Sequence, residues 1–369
     1  MRQRCIISGL IPGTVYPSNR ALLTRKLAIF AAILIGLCLS GHAERLRIVV
    51  AGDGRSEYPW GDERPEDADG LNQTINREIC NAVKQEKANI FLWTGDIVNV
   101  TDRAGDKPED KTYFLRNGLN KWHEIMGELY DSGVKVLPVR GNHEVEWKTE
   151  KDKTGYEIAN AAATWKDVFR DLPDNGPKGE EKLSFWYATD SVLCIGLDQY
   201  ENRRHLINQT WLEDVLNRNR QELKKPFIFA FGHEPAFATG STHVGDEILA
   251  AHPHIRDHMW KTLREAGAHV YFCGHDHFYD HMKVDGGPTN LAGEMHQVSA
   301  GIAGAPFYSH ADYPQDEDWV LTRVKHTDFV YGYVLVTIEG NAAKIEFKAR
   351  NLDGQYKTRE SFNFIANRR

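Results

Sequence analysis

The chain has 369 residues, room for one large domain or two, and its 52 acidic residues outnumber 45 basic ones to leave a formal charge of −7. Residues 1–43 carry five basic residues and no acidic ones, so the remainder stands at −12. That balance argues against a nucleic-acid-binding surface, because such surfaces depend on Lys and Arg neutralising phosphates.

Taken in chain order, residues 1–43 read as a signal peptide. Arg25 and Lys26 precede the apolar stretch Leu27 to Leu39, and Gly41-His42-Ala43 offers small residues for cleavage. The stretch is too short to span a bilayer comfortably, so no stable membrane anchor is expected after cleavage and the protein is expected to be exported, periplasmic or secreted. The basic lead before Arg25 is long for such a segment, which leaves a later start codon open. Leu37 before Cys38 argues against a lipid anchor at that cysteine. Cys80, Cys194 and Cys273 remain, enough for at most one disulfide, and the last two lie in apolar runs that suit buried free thiols.

Residues 44–369 read as a single domain. Arg45 to Ala51 is a strand, Gly70 to Lys87 a helix with Ile75, Ile79 and Val83 on one face, and Asn89 to Thr94 the next strand. A helix from Tyr113 to Asp131 leads to the strand Lys135 to Val139, completing a βαβαβ pattern. Val145 to Lys182 reads as a solvated excursion with a helix over Tyr156 to Phe169. Ser184 to Ala188 and Val192 to Leu197 form a hairpin. Trp211 to Leu223 is amphipathic, Lys225 to Phe231 is a strand, and the helix Ile255 to Ala266 feeds the apolar run ending at Cys273. The tail is β-rich: Gln297 to Ile302, Phe329 to Glu339, Ala343 to Ala349 and Thr358 to Ile365, with Glu339-Gly340-Asn341 and Asp353-Gly354 as turns. The expected architecture is a β-sandwich with helices on its outer faces.

Five strand ends share one chemical character. They are Ala51-Gly52-Asp53, Thr94-Gly95-Asp96, Arg140-Gly141-Asn142-His143, Phe231-Gly232-His233 and Gly274-His275-Asp276-His277. Each supplies carboxylate, amide or imidazole, the groups that hard and borderline divalent metals take. Loops at the carboxyl ends of strands in an αβ sheet gather at one edge, so residues far apart in sequence can meet there.

In their order and in the flanking Gln209-Thr210-Trp211-Leu212 and Tyr331-Gly332-Tyr333, these segments resemble the calcineurin-like metallophosphoesterases, most nearly the purple-acid-phosphatase-like branch. The resemblance runs from about Arg45 to the C-terminus. It implies a four-layer α/β/β/α sandwich, two mixed β-sheets flanked by helices, with a dinuclear metal centre at one edge. It further implies an exported enzyme that hydrolyses phosphate mono- or diesters through a hydroxide shared by two metal ions (iron, manganese or zinc). Asp53 and His277 would hold the first ion, Asn142, His233 and His275 the second, and Asp96 both, while His143 would protonate the departing alkoxide.

Two positions depart from the family pattern. Arg55 stands where many relatives place a ligating histidine, and a guanidinium has no lone pair to offer. Asn99 stands where relatives place Asp or a ligating Tyr. Asn99 either ligates through its amide oxygen or orients His143; otherwise the first ion binds weakly and water completes its shell. Weak binding at the first site is the reading preferred here, with Arg55 contacting substrate phosphate; the competing reading makes Arg55 a surface charge at a strand end. Asn99-Val100-Thr101 is formally a glycosylation sequon, accidental if Asn99 lies inside a site.

Lesser candidates are the i, i+4 pair His254 and His258, more suited to a solvated face, and His281 and His310, placed where loops could roof the site. Trp60, Phe237 and Tyr308 could line a substrate pocket, and the loop Ala236 to Ile248, with Thr239-Gly240-Ser241-Thr242, is the candidate for substrate selection. Two other readings stay open: a non-catalytic phosphate- or glycan-binding protein on the same scaffold, and a metal-dependent hydrolase of other esters, which the absence of His-Glu-x-x-His disfavours. Oligomeric state is not legible in the sequence.

Overall fold

β1 (Leu46–Ala51) ends in Ile48-Val49-Val50-Ala51, apolar at every position, as a strand covered on both faces requires. The computed structural model describes residues 45–56, 69–100, 107–147, 156–200, 205–241, 248–287, 294–310 and 315–366. The expected leader, Trp60 and Thr242 lie outside them.

β1 pairs in parallel with β2 (Ile90–Trp93), which pairs in parallel with β3 (Lys135–Pro138). On its other side β1 pairs antiparallel with β13 (Gly332–Glu339), and β14 (Ala342–Arg350) and β15 (Tyr356–Ile365) complete a six-stranded mixed sheet. The second sheet has seven strands. β7 (Val192–Gly196), β8 (Phe227–Phe231), β9 (Val270–Cys273) and β11 (Met295–Ala300) run parallel, with β6 (Phe185–Ala188), β10 (Tyr279–Gly286) and β12 (Trp319–Thr327) antiparallel to their neighbours.

Side-chain alternation in β8 shows how the layers stack. Phe227, Phe229 and Phe231 belong to a core shared with β1, β2 and β13, whereas Ile228 and Ala230 face a second core with α5 (Gln209–Arg218) and α6 (Pro253–Glu265). The outer face of the first sheet is covered by α1 (Gln73–Gln85), α2 (Pro108–Ile125), α3 (Gly127–Asp131) and α4 (Ala161–Val168). The result is the four-layer sandwich. Helix α1 starts where Asn72 accepts a hydrogen bond from the Ile75 N–H at 3.1 Å, and it buries Ile75, Ile79 and Val83 together.

Within Val145 to Lys182, residues 156–182 are no solvated excursion. Trp165, Phe169 and Leu172 are buried, with the Phe169 ring 4.4 Å from Trp165 and 5.8 Å from Trp122. Its helix is also shorter than expected. Asn160 adopts φ 57°, outside the helical region, and Tyr156–Glu157 form a short strand β5 on β4 (Glu146–Trp147). Cys80, Cys194 and Cys273 are free and buried. Among the described residues no helix is long and apolar enough to cross a membrane.

Candidate metal centre

Asp53, Asp96 and Asn142 follow β1, β2 and β3 of one sheet, and His233, His275 and His277 follow β8 and β9 of the other. The chain leaves these strands abruptly. Asp53, Asp96 and His275 all have left-handed backbone, at φ 59°, 54° and 67°, a conformation costing on the order of 1 kcal/mol or more for a residue with a side chain. Close approach explains the glycines. A Cβ on Gly95, itself at φ 92°, would lie 2.7 Å from His233 Nδ1, and one on Gly274 would lie 2.2 Å from Asp53 Oδ2.

Asn142 Oδ1 lies 3.0 Å from His233 Nε2 and 3.1 Å from His275 Nδ1, and those two nitrogens are 3.1 Å apart. His233 Nδ1 donates to the Thr94 carbonyl at 2.7 Å, which turns the lone pair of a neutral ring onto Nε2, facing Asp96 Oδ1 at 3.3 Å. Two ligands bonded to one ion at about 2.0–2.1 Å in tetrahedral geometry stand about 3.3 Å apart. The donor set and its spacing therefore fit a divalent cation.

A second group adjoins the first. Donor atoms of Asp53, Asp96 and His277 lie within 4.8 Å of one another, and His277 Nε2 is 3.5 Å from Asp53 Oδ1. His277 Nδ1 donates to the Pro306 carbonyl, so here too the far nitrogen faces carboxylate. Burial, and then the charge of Asp96, raise the Asp53 pKa well above the usual carboxylate range. Burial also acts to raise Asp96, but His233, His143 and Arg55 outweigh it and hold the group low. A cation between the two carboxylates lets both ionise. Asp96 thus stands between the two groups, as a shared ligand must.

Arg55 is buried, 7% exposed, which rules out the surface-charge reading. Its Nε lies 3.5 Å from Asp96 Oδ2 and its Nη2 donates to Tyr308 Oη at 3.1 Å. The Tyr308 ring stacks on the His277 ring, centroids 4.0 Å apart. Asn99 is buried and donates its amide to the Ser56 carbonyl at 2.9 Å, which fastens the turn carrying Arg55; its burial agrees with an accidental sequon. The His143 side chain is one-fifth exposed, with Nε2 3.9 Å from Asp96 Oδ2, while its backbone N–H donates to Asp96 Oδ1 at 3.1 Å.

Residues 46–279 match the calcineurin-like phosphoesterase family model. The chain belongs to this family. Solved structures of similar fold include purple acid phosphatase PPD1 from yellow lupin (Lupinus luteus) seeds, at 18% identity and TM-score 0.58 over 88% of this chain and 54% of that one. The chain therefore spans about half the length of the lupin protein. PhoD matches at 12% identity and TM-score 0.54, over 88% of this chain and 70% of its own. GAP50, the anchor in the inner membrane complex of Plasmodium, matches at 14% identity and TM-score 0.52, over 88% and 90%. At these identities the likeness is one of fold. No curated protein matches the chain.

The phosphoesterase site also rests on residues that sequence reasoning missed. Glu144 accepts backbone hydrogen bonds from Gly141 at 2.7 Å, Ile97 at 2.8 Å, and Asp96 and Val98 at 3.0 Å, so one carboxylate shapes both the Asp96 and the Asn142 turns. Burial and the nearby Asp96 push its pKa up to about 8, against the pull of those N–H donors. Its place in Gly141-Asn142-His143-Glu144 was the available signal. Gln199 Oε1 accepts from the His233 and Glu234 N–H groups at 2.7 and 2.8 Å. Arg140 and Asp198, both buried, form a two-pronged pair at 2.9 and 2.8 Å between the ends of β3 and β7.

Several lesser candidates fall away from the phosphoesterase centre. His281 is buried against Glu360, His296 and the Phe362 ring and does not roof the site. Phe237 packs on Trp260 and Trp319 in the core beneath α6. Tyr308 does border the site. His258 bonds Glu213 on the surface, and His254 joins no metal-type cluster among the described residues. In the loop Ala236 to Ile248, Thr239 donates its hydroxyl to Asp276, between the ligand candidates His275 and His277.

Proposed function

We propose that the chain hydrolyses phosphate mono- or diesters at a centre that takes two metal ions. The observation that carries this reading is the meeting of Asp96, Asn142, His233 and His275 at distances of 3.0–3.3 Å from residues spread over 180 positions of sequence. Asp53, Asp96 and His277 would hold one ion, and Asp96, Asn142, His233 and His275 the other, drawn from iron, manganese or zinc. Such ions neutralise a phosphoryl group and activate water.

The chain's own groups supply the rest. Glu144 and the left-handed turns fix the carboxylates in position. His143, partly exposed beside Asp96, would give its Nε2 proton to the departing alkoxide. Phe307, next to Tyr308, borders a cavity of about 670 Å³ whose lining mixes Phe329, Tyr331 and Leu352 with Arg350, Asp353 and Arg359. Export through residues 1–43 belongs to the same proposal. Loss of p-nitrophenyl phosphate and bis-p-nitrophenyl phosphate hydrolysis in both His143→Ala and Asp96→Ala, with metal content measured alongside, tests it; turnover surviving both changes refutes it. Phosphate binding without turnover across several metals would instead favour the non-catalytic binding protein.

A further inference from the structure

Among the described residues a second cluster has metal-binding character, and it lies outside the centre at the strand ends. His310 Nδ1 is 2.9 Å from Asp328 Oδ2, and His326 Nε2 is 2.6 Å from Asp328 Oδ1, so one carboxylate turns an oxygen to each imidazole. The donor atoms of the three residues lie within 4.8 Å of one another, and the two rings are 4.1 Å apart. We propose that His310, His326 and Asp328 form an additional site for a borderline divalent cation such as zinc.

Three features carry the inference. Two imidazoles and a carboxylate are a donor set zinc accepts, with a fourth position left for water. His326 donates its other ring nitrogen to Asp280 Oδ2 at 2.8 Å, and Asp280 is buried and held by Arg323 at 3.0 Å. A carboxylate behind the histidine fixes the ring and its tautomer, the support that metal-ligating histidines have. The cluster is also reachable, with side chains 36%, 10% and 22% exposed for His310, His326 and Asp328.

The ion would join segments that flank the catalytic edge. His310 bridges Ser241, Arg323 donates to the Thr239 carbonyl, and the Thr239 hydroxyl reaches Asp276. A zinc ion would therefore fasten the chain after His233 to β12. The competing account is an ion pair in which protons alone hold the three side chains together.

Full-length protein equilibrated with zinc and then desalted separates the two accounts. The expected result is one zinc equivalent fewer in His310→Ala and in Asp328→Asn than in the unsubstituted protein, with hydrolysis of the model ester retained. Equal zinc content in all three proteins overturns the proposal. His326 packs on the Phe278 ring at 4.6 Å, so the more exposed His310 is the position for the deciding variant.

Discussion

The Nε of Arg55 lies 3.5 Å from Oδ2 of Asp96, and both side chains are almost wholly buried. A fixed cation thus competes for the carboxylate that the two metal positions would share. Because a guanidinium keeps its proton, it cannot yield that place to an ion by titrating. Arg55→His removes the permanent charge and offers a lone pair, so affinity for the ion held by Asp53, Asp96 and His277 is expected to rise tenfold or more. Calorimetric titration with manganese or zinc reads this directly, and an unchanged affinity would show that Arg55 does not weaken the first position.

Glu144 offers two oxygens to four backbone N–H groups. In Glu144→Gln one of those oxygens becomes an amide that faces N–H groups with further N–H. The expected cost is about 2–4 kcal/mol of stability, together with a fall of about tenfold in kcat, since the turn of Asp96 loosens. Denaturant melts and steady-state kinetics on one preparation check both effects.

The Arg140–Asp198 pair is expected to behave as buried ion pairs do when one member is lost. Asp198→Asn leaves a guanidinium in the interior and should destabilise the protein by about 3–5 kcal/mol, whereas Arg140→Met with Asp198→Leu should recover most of that loss. Urea denaturation of the unsubstituted, single and double variants decides; a single variant no less stable than the double one contradicts the expectation.

His296 sits among His281, Glu294 and the Phe362 ring, and burial lowers its pKa from the usual 6.5 to about 4. Because the folded state resists protonation, the unfolded chain binds the extra proton first. Stability contributed by this group is present above pH 6.5 and falls as pH drops from 6.5 towards 4, by up to about 3 kcal/mol. His296→Gln should flatten that part of the stability profile, and an unchanged slope would assign the acid sensitivity elsewhere.

The ligand candidates were legible because each follows an apolar run with a short polar tip, and the topology brings such tips together whatever their distance along the chain. β10 and β12 were not. β10 buries Asp280 and His281 among its apolar residues, and β12 leaves Val320 and Val324 exposed, so neither shows a clean alternation. The Val145 to Lys182 segment read as solvated because its turn-rich end masked the inward-facing Trp165 and Phe169. Glu144, Arg140 and Asp198 act through contacts that spacing does not report: Arg140 and Asp198 are 58 positions apart and become partners only across two sheets.

Each sheet delivers three of the six candidate ligands, Asp53, Asp96 and Asn142 from one and His233, His275 and His277 from the other. Neither half could grip an ion in the manner of the whole, so cation uptake would register the docking of the two sheets and would come late in maturation. A chain arrested with its sheets apart would be metal-poor as well as inactive, and supplying the ion would draw it forward towards the native state.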